Sequence, residues 1–275
     1  MDLRETFLEW AGLAARQAGH VALHLQGRVE NLGKAADGTP EAEAMSAVDL
    51  ATQEVILEVL RARLPHVAVD AEEDTLLARS SPAEEVGRAL VVVDSVDGSF
   101  NYLNGSNDWA VMLGLIEDGR FTAAHLEFPT SARAVRAARG KGCWRRSPEG
   151  DWSRVDGFGP LPQTVLGPAR LVDHVRGALE ANGFQISPSR CSAIDATAPI
   201  LGRGCGSIAW GVDRRHALGL FASLEAGAHV LFGGQEWMGE DPATLGTHGR
   251  PVLLATRRPD IEMWRSALQR SPTSD

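Results

Sequence analysis

Apolar residues recur at helical spacing over residues 5–26: Phe7, Ala11, Ala14, Ala18, Val21 and Leu25 share one face, which predicts an amphipathic helix. His20 and His24 lie four apart on it with no carboxylate nearby to complete a metal site, and read as solvent-facing or core-edge residues. Residues 27–45 are polar and rich in Gly, Ala and Glu, which predicts a loop carrying Lys34. A second helix is predicted over 46–64, with Ala51, Val55, Ile56, Val59 and Leu60 as its buried stripe and Pro65 as its stop. Residues 67–70 form a short strand running into Ala71-Glu72-Glu73-Asp74. Residues 89–93 are apolar throughout, the pattern of a strand covered on both faces, and the stretch that follows carries Asp94 and Asp97. Strands are predicted over 109–117 and 120–127, joined by the turn Glu117-Asp118-Gly119-Arg120, and the run continues over 134–138 and 142–145.

The rhythm changes after a turn-rich stretch at 146–162. Strands over 164–167, 185–187 and 252–256 alternate with helices over 171–182 and 260–269, and 217–232 is apolar. This alternation predicts a second α/β layer, so the pattern alone gives a mixed α and β fold with two layers of sheet. The halves divide at the turn-rich stretch, into 1–158 and 159–275.

Composition adds boundaries rather than a function. With 275 residues, 44% hydrophobic and 23% charged, the chain can bury a substantial core in one large domain or two packed ones. A formal net charge of −9 with no basic run argues against binding a nucleic-acid polymer, though not against a small nucleotide. Cys143, Cys191 and Cys205 are scattered, so a zinc site or disulfide framework is not indicated. The opening Met1-Asp2-Leu3-Arg4-Glu5 lacks a signal-peptide apolar core, and 217–232 contains Glu225 and His229 and is short for a bilayer span. The expectation is a soluble, cytoplasmic protein without a membrane partner.

The candidate chemistry sits at the end of the apolar strand. Asp94 and Asp97 are too close to ionise together cheaply unless a cation lies between them. Hard divalent cations take oxygen ligands, and the N–H groups of a helix start after Gly98-Ser99 suit an anion. Taken alone, the same residues also suit a solvated turn with an aspartate cap.

The stretch Asp94-Ser95-Val96-Asp97-Gly98-Ser99 resembles the metal motif of the inositol monophosphatase family, Asp-Pro-Ile/Leu-Asp-Gly-Thr/Ser, with Ser95 in place of the proline. Phe100-Asn101-Tyr102 and Gly105 resemble its continuation. Ser46-Ala47-Val48-Asp49 is similar to the family's Thr-x-x-Asp, and Ala71-Glu72-Glu73 to its Gly-Glu-Glu. These matches fall in the family's order, and the likeness runs over residues 5–145. In the second half, Arg203-Gly204-Cys205-Gly206-Ser207 resembles the family's Arg-x-x-Gly-Ser, which lies near the substrate at a helix start.

The resemblance implies a layered αβαβα sandwich and Mg²⁺-dependent hydrolysis of a small, inositol-phosphate-like phosphomonoester by metal-activated water. Nucleotide bisphosphates and histidinol phosphate are alternative substrates, and a catalytically weakened homologue acting as a binding or regulatory protein is the alternative outside catalysis. It assigns Glu72, Asp94 and the Val96 carbonyl to one Mg²⁺, and Asp94 and Asp97 to a second one shared with a carboxylate from the C-terminal half. Glu72 and Ser99 would orient the water, Asp49 would orient Ser99, and Gly98, Ser99, Gly206 and Ser207 would face the substrate. Lys34 would face the site from its loop, and a homodimer is the expected assembly.

Two alignments compete for the C-terminal carboxylate, which the family supplies from Trp-Asp-x-Ala-x-Gly. In one, the motif falls on Arg214-Arg215-His216-Ala217-Leu218-Gly219, and Arg215 stands where the aspartate should be. In the other, Glu240-Asp241-Pro242-Ala243 supplies Asp241, with Trp237 close by. The second is preferred because it preserves a ligand; Asp213 is a weaker candidate, and a plain helix cap is the competing role for Asp241.

Overall fold

In the computed structural model, the described residues are 2–29, 47–79, 89–168, 173–245 and 251–269. Lys34 and Ser46 lie outside them. Helix α1, Leu3–Leu25, starts at an Asp2 cap and buries Phe7, Ala11, Ala14, Ala15, Ala18 and Ala22. Its inner face is mostly alanine, which lets the helix lie close on the sheet beneath it. It packs against α2, Ala47–Arg63, and across strands β3, Ala110–Glu117, and β4, Arg120–Phe128. His20 and His24 face solvent, as their positions predict.

The first sheet has seven strands in chain order. Strand β1, Ala68–Ala71, runs parallel to β2, Leu90–Asp97; then β3, β4, β5 (Arg133–Ala138), β6 (Gly142–Arg146) and β7 (Trp152–Val155) follow as an antiparallel meander. Every residue of β2 is buried, which explains why its sequence reads as a continuous apolar run.

The second sheet has six strands, in the order β12, β11, β13, β10, β8, β9. These are β8 (Thr164–Leu166), β9 (Gln185–Ser187), β10 (Gly206–Trp210), β11 (His229–Phe232), β12 (Gln235–Glu236) and β13 (Pro251–Ala255). Short helices α3, Leu76–Arg79, and α4, Ser99–Leu103, lie at the ends of β1 and β2. Helix α5, Asp173–Ala181, precedes β9.

Two helices fill the space between the sheets. Helix α6, Ser192–Leu201, packs on β10, and α7, Ala217–Glu225, packs on β4, β5 and β6. The segment Pro242–Leu245 is α8, and the closing helix α9, Arg258–Gln269, lies with α5 on the outer face of the second sheet. The order is therefore helix pair, sheet, helix pair, sheet, helix pair: the five-layer αβαβα sandwich the resemblance implies. Each interface has its own apolar cluster: one under α1 and α2 around Leu57, Val91 and Leu113; one between the sheets around Met112, Ile194 and Phe221; one under α5 and α9 around Phe184, Leu253 and Trp264. Among the described residues, no helix is long and apolar enough to cross a membrane.

Candidate active site

The site forms where β2 ends. Alternation along a strand would point residues 94 and 97 to opposite faces. Here the β2–β3 register shifts, with Asp94 opposite Met112 but Asp97 opposite Ala110, so one extra residue is taken up in β2. Such a bulge restores two carboxylates three apart to the same side. Ser95, in the place of the family's proline, points the other way and donates to the Asp49 carbonyl at 2.8 Å, tying β2 to the first turn of α2.

Gly98 then turns the chain with φ of +88°, in the left-handed region that favours glycine. A Cβ there would also sit 3.2 Å from Cys191 Cβ and 3.1 Å from the Asp108 carbonyl oxygen. The turn brings the Ser99 hydroxyl to 2.8 Å from Asp49 Oδ1 and 2.9 Å from the Val96 carbonyl oxygen. Asp49 is 2% exposed. Asp49, Val96 and Ser99 are thus one hydrogen-bonded unit, with Gly98 making the turn between them.

Asp94 is 5% exposed, and its Oδ1 has no hydrogen-bond partner among the described residues. Burial, then the charges of Glu72 and Asp97, push its carboxyl well above the usual range, and Arg215 opposes them. Glu72, on the exposed turn after β1, lies close enough to act on Asp94 electrostatically. Among the described residues, no three His, Cys, Asp or Glu side chains converge into a preformed metal cage.

Asp97 is oriented differently from the expectation. Its Oδ1 accepts from the Ser192 N–H at 3.2 Å and the Ser192 hydroxyl at 2.8 Å. Its Oδ2 accepts from the Ala193 N–H and the Cys191 thiol, each at 2.8 Å. It therefore caps α6 across the two halves of the chain, satisfying N–H groups a helix start leaves unpaired. Burial, with Asp97 beside it, pushes the Cys191 thiol well up, so the sulfur keeps its proton and donates.

The C-terminal contributions require corrections. Gly206 and Ser207 are not at a helix start: they begin the buried strand β10, and a Cβ on Gly206 would lie 2.0 Å from the Leu254 carbonyl oxygen. The segment at a helix start beside Gly98 is Arg190-Cys191-Ser192, which the reading missed; the run Ser192-Ala193-Ile194-Asp195 before apolar residues is the signal that could have found it.

Asp241 does not join the cluster either. Its carboxylate accepts from Arg214 Nε at 3.0 and 2.9 Å and from the Ala243 N–H at 3.0 Å, capping α8. Its backbone N–H bonds Gly119 in the β3–β4 hairpin, at the Leu90 end of β2 and away from Asp94. The cap role that competed for Asp241 is the one the geometry supplies.

The residues that do arrive are Asp213 and Arg215, ahead of α7. Arg215 bonds Asp213 Oδ2 at 2.9 Å and Asp70 Oδ1 at 3.4 Å, and its charge acts on Glu72 and Asp94. Asp213 Oδ1 receives His216 Nδ1 at 2.9 Å and the His216 N–H at 3.0 Å. Burial raises the Asp213 carboxyl, but His216 and Arg215 outweigh it and hold it well below the usual range. Arg215 thus stands beside the acidic cluster, the position it takes in the alignment that puts it where the family has its aspartate.

The donors therefore fit one hard cation. Asp94 offers a buried oxygen with no other partner, the Val96 carbonyl retains a lone pair beside the Ser99 bond, and Glu72 adds a second carboxylate. Mg²⁺ is held by few protein oxygens and keeps several waters, so it does not need a complete cage. A second ion would have to compete for oxygens that already accept, because Asp97 is engaged by α6 and Asp213 by Arg215 and His216.

Comparison with known proteins bears on the family and the fold. The model of the inositol monophosphatase family matches residues 4–198. The fructose-1,6-bisphosphatase/inositol-1-monophosphatase of Thermotoga maritima is 25% identical over 226 residues, covering 80% of this chain and 83% of that protein. The 3'(2'),5'-bisphosphate nucleotidase CysQ of Salmonella typhimurium is 26% identical over 205 residues, covering 71% and 77%. A putative Nus factor SuhB of Neisseria meningitidis is 26% identical over 136 residues, 50% of this chain and 49% of that one. Among solved structures, an inositol monophosphatase of Thermotoga maritima superposes with a TM-score of 0.77 at 19% identity, covering 95% of this chain and 96% of that one. The ordered motifs, the five-layer fold and the matched family model lead to one conclusion: this chain belongs to the inositol monophosphatase family.

Proposed function

We propose that this protein hydrolyses a small phosphomonoester with the help of one Mg²⁺ held by Glu72, Asp94 and the Val96 carbonyl. The observation that carries the reading is the buried Asp94 carboxylate, whose Oδ1 has no hydrogen-bond partner among the described residues and which the charges of Glu72, Asp97 and Asp213 crowd. A buried charge in that position is costly without a cation. When bound, Mg²⁺ supplies charge neutralisation of the phosphate oxygens and a water of lowered pKa.

The chain's own groups do the rest. The single Ser99 hydroxyl hydrogen is shared between Asp49 and the Val96 carbonyl, leaving the oxygen lone pairs to accept from the attacking water. Glu72, exposed at the mouth, would take the water's proton. The N–H groups of Gly98 and Ser99 suit phosphate oxygens. Residues 1–158 supply the metal and nucleophile side, and 159–275 close it with α6 and the 213–216 turn. Cellular setting and assembly follow the same reading: a cytoplasmic homodimer acting on a phosphorylated metabolite, inositol-phosphate-like in the first instance.

A second reading has one observation in its favour. Arg215 brings a cation into the acidic cluster, and a binding or regulatory protein without turnover would tolerate this readily. Phosphate release from a panel of inositol, nucleotide and sugar phosphates, with Mg²⁺ and with chelator, separates the two. Mg²⁺-dependent release from any of them supports the enzyme; no release from all of them supports the regulatory protein.

A further inference from the structure

We propose that the Arg215 guanidinium is a built-in second cation, so that this protein takes one divalent ion per chain and uses Arg215 as its other positive contact to the phosphoryl group. The inference rests on the phosphatase reading for its substrate, but its basis is the charge inventory of the cluster. Asp241 is engaged by Arg214, whose NH1 also bonds Asp70 Oδ2 at 3.0 Å. Asp213 is engaged by Arg215 and His216. Asp97 has four donors from residues 191–193. Asp94 differs from these: it is 5% exposed, its Oδ1 has no partner among the described residues and the charge of Glu72 acts on it, which calls for one divalent cation.

A second divalent ion would need carboxylate oxygens that these partners occupy, and it would sit against a guanidinium. Arg215 is held through NH1 by Asp70 and through NH2 by Asp213, and its charge reaches Glu72 and Asp94. A planar guanidinium that keeps its charge at any working pH is well suited to phosphate oxygens, where it needs no recruitment from solution.

The test is the number of Mn²⁺ ions bound, read by calorimetry and by the electron paramagnetic resonance of free Mn²⁺, on wild type, Arg215→Lys and Arg215→Asp. Wild type and Arg215→Lys should each bind one ion, and Arg215→Asp should bind two. Alongside, Arg215→Lys should keep kcat within about tenfold and raise KM for the phosphate ester. Two ions on the wild-type protein would overturn the proposal, and so would no ion at all; this arm does not depend on any variant folding. One ion on a folded Arg215→Asp would overturn it as well. One ion on wild type with no phosphate released from any ester would overturn the phosphatase reading and leave the one-ion site standing.

Discussion

At the residue scale, Asp94, Ser99 and Asp49 divide the work. On the proposed reading, Asp94 is buried to bind a cation rather than for stability. Asp94→Asn should lower turnover at least a hundredfold, since a bound metal contributes several kcal/mol to stabilising the transition state. In chelator, the same variant should melt at or above the wild-type temperature, because it removes a carboxyl whose ionisation burial and neighbouring charges penalise. A fall of many degrees would mean that Asp94 has a structural partner and the reading is wrong. Ser99 acts one step away, through its bond to Asp49. Ser99→Ala should reduce kcat by roughly a hundred- to ten-thousandfold with Mn²⁺ binding unchanged, while Ser99→Thr keeps the hydroxyl and most of the activity. Loss of Mn²⁺ affinity in Ser99→Ala would move the residue from orienting water to holding metal.

At the element scale, α6 connects the halves, and Asp97 and Asp195 set its stability. Asp97 caps it from β2, so Asp97→Ala leaves buried donors without a partner and should cost about 2–3 kcal/mol in urea unfolding. An unchanged midpoint would show that the cap contributes nothing. One turn later, burial pushes the Asp195 carboxyl up to about 7, with Asp97 adding to the rise. A carboxyl raised in this way binds its proton more tightly in the folded than in the unfolded chain. Its contribution is therefore present at acid pH and lost as pH rises through about 7. Asp195→Asn should gain stability relative to wild type between pH 5 and pH 8, read as a difference in melting temperature that grows with pH; a difference that shrinks would reverse the assignment. In β10, Gly206 lies against the Leu254 carbonyl and Trp264, so Gly206→Ala should destabilise the second sheet by several kcal/mol, as overpacking does, rather than change KM. A stable Gly206→Ala with altered KM would return the residue to the substrate.

At the scale of the whole molecule, the first sheet and its helices were legible because their periodicities are clean: an apolar β2, a turn at Asp118-Gly119, an alanine-faced α1. The motifs carried by those elements, Glu72, Asp94, Asp97 and Ser99, were legible with them. The second half was not, for two physical reasons. Glycines at 204 and 206 are there for close packing against Thr164, Leu254 and Trp264, yet they read as a turn, which hid β10 and displaced the Gly-Ser assignment. Helix α6 is buried nearly all round and contains Pro199, so it shows neither an amphipathic stripe nor a clean continuation. The Asp241 assignment follows from the sequence only if a second ion needs its carboxylate, and the sequence does not show that Asp241 lies on Arg214 or that Arg215 arrives beside Asp213. The central claim remains a phosphatase whose cation sits on Asp94. Its most direct test is phosphate release at saturating Mg²⁺ by wild type and by Asp94→Asn, on the best ester of the panel: release by wild type alone is the predicted result, and equal release by both would contradict the account.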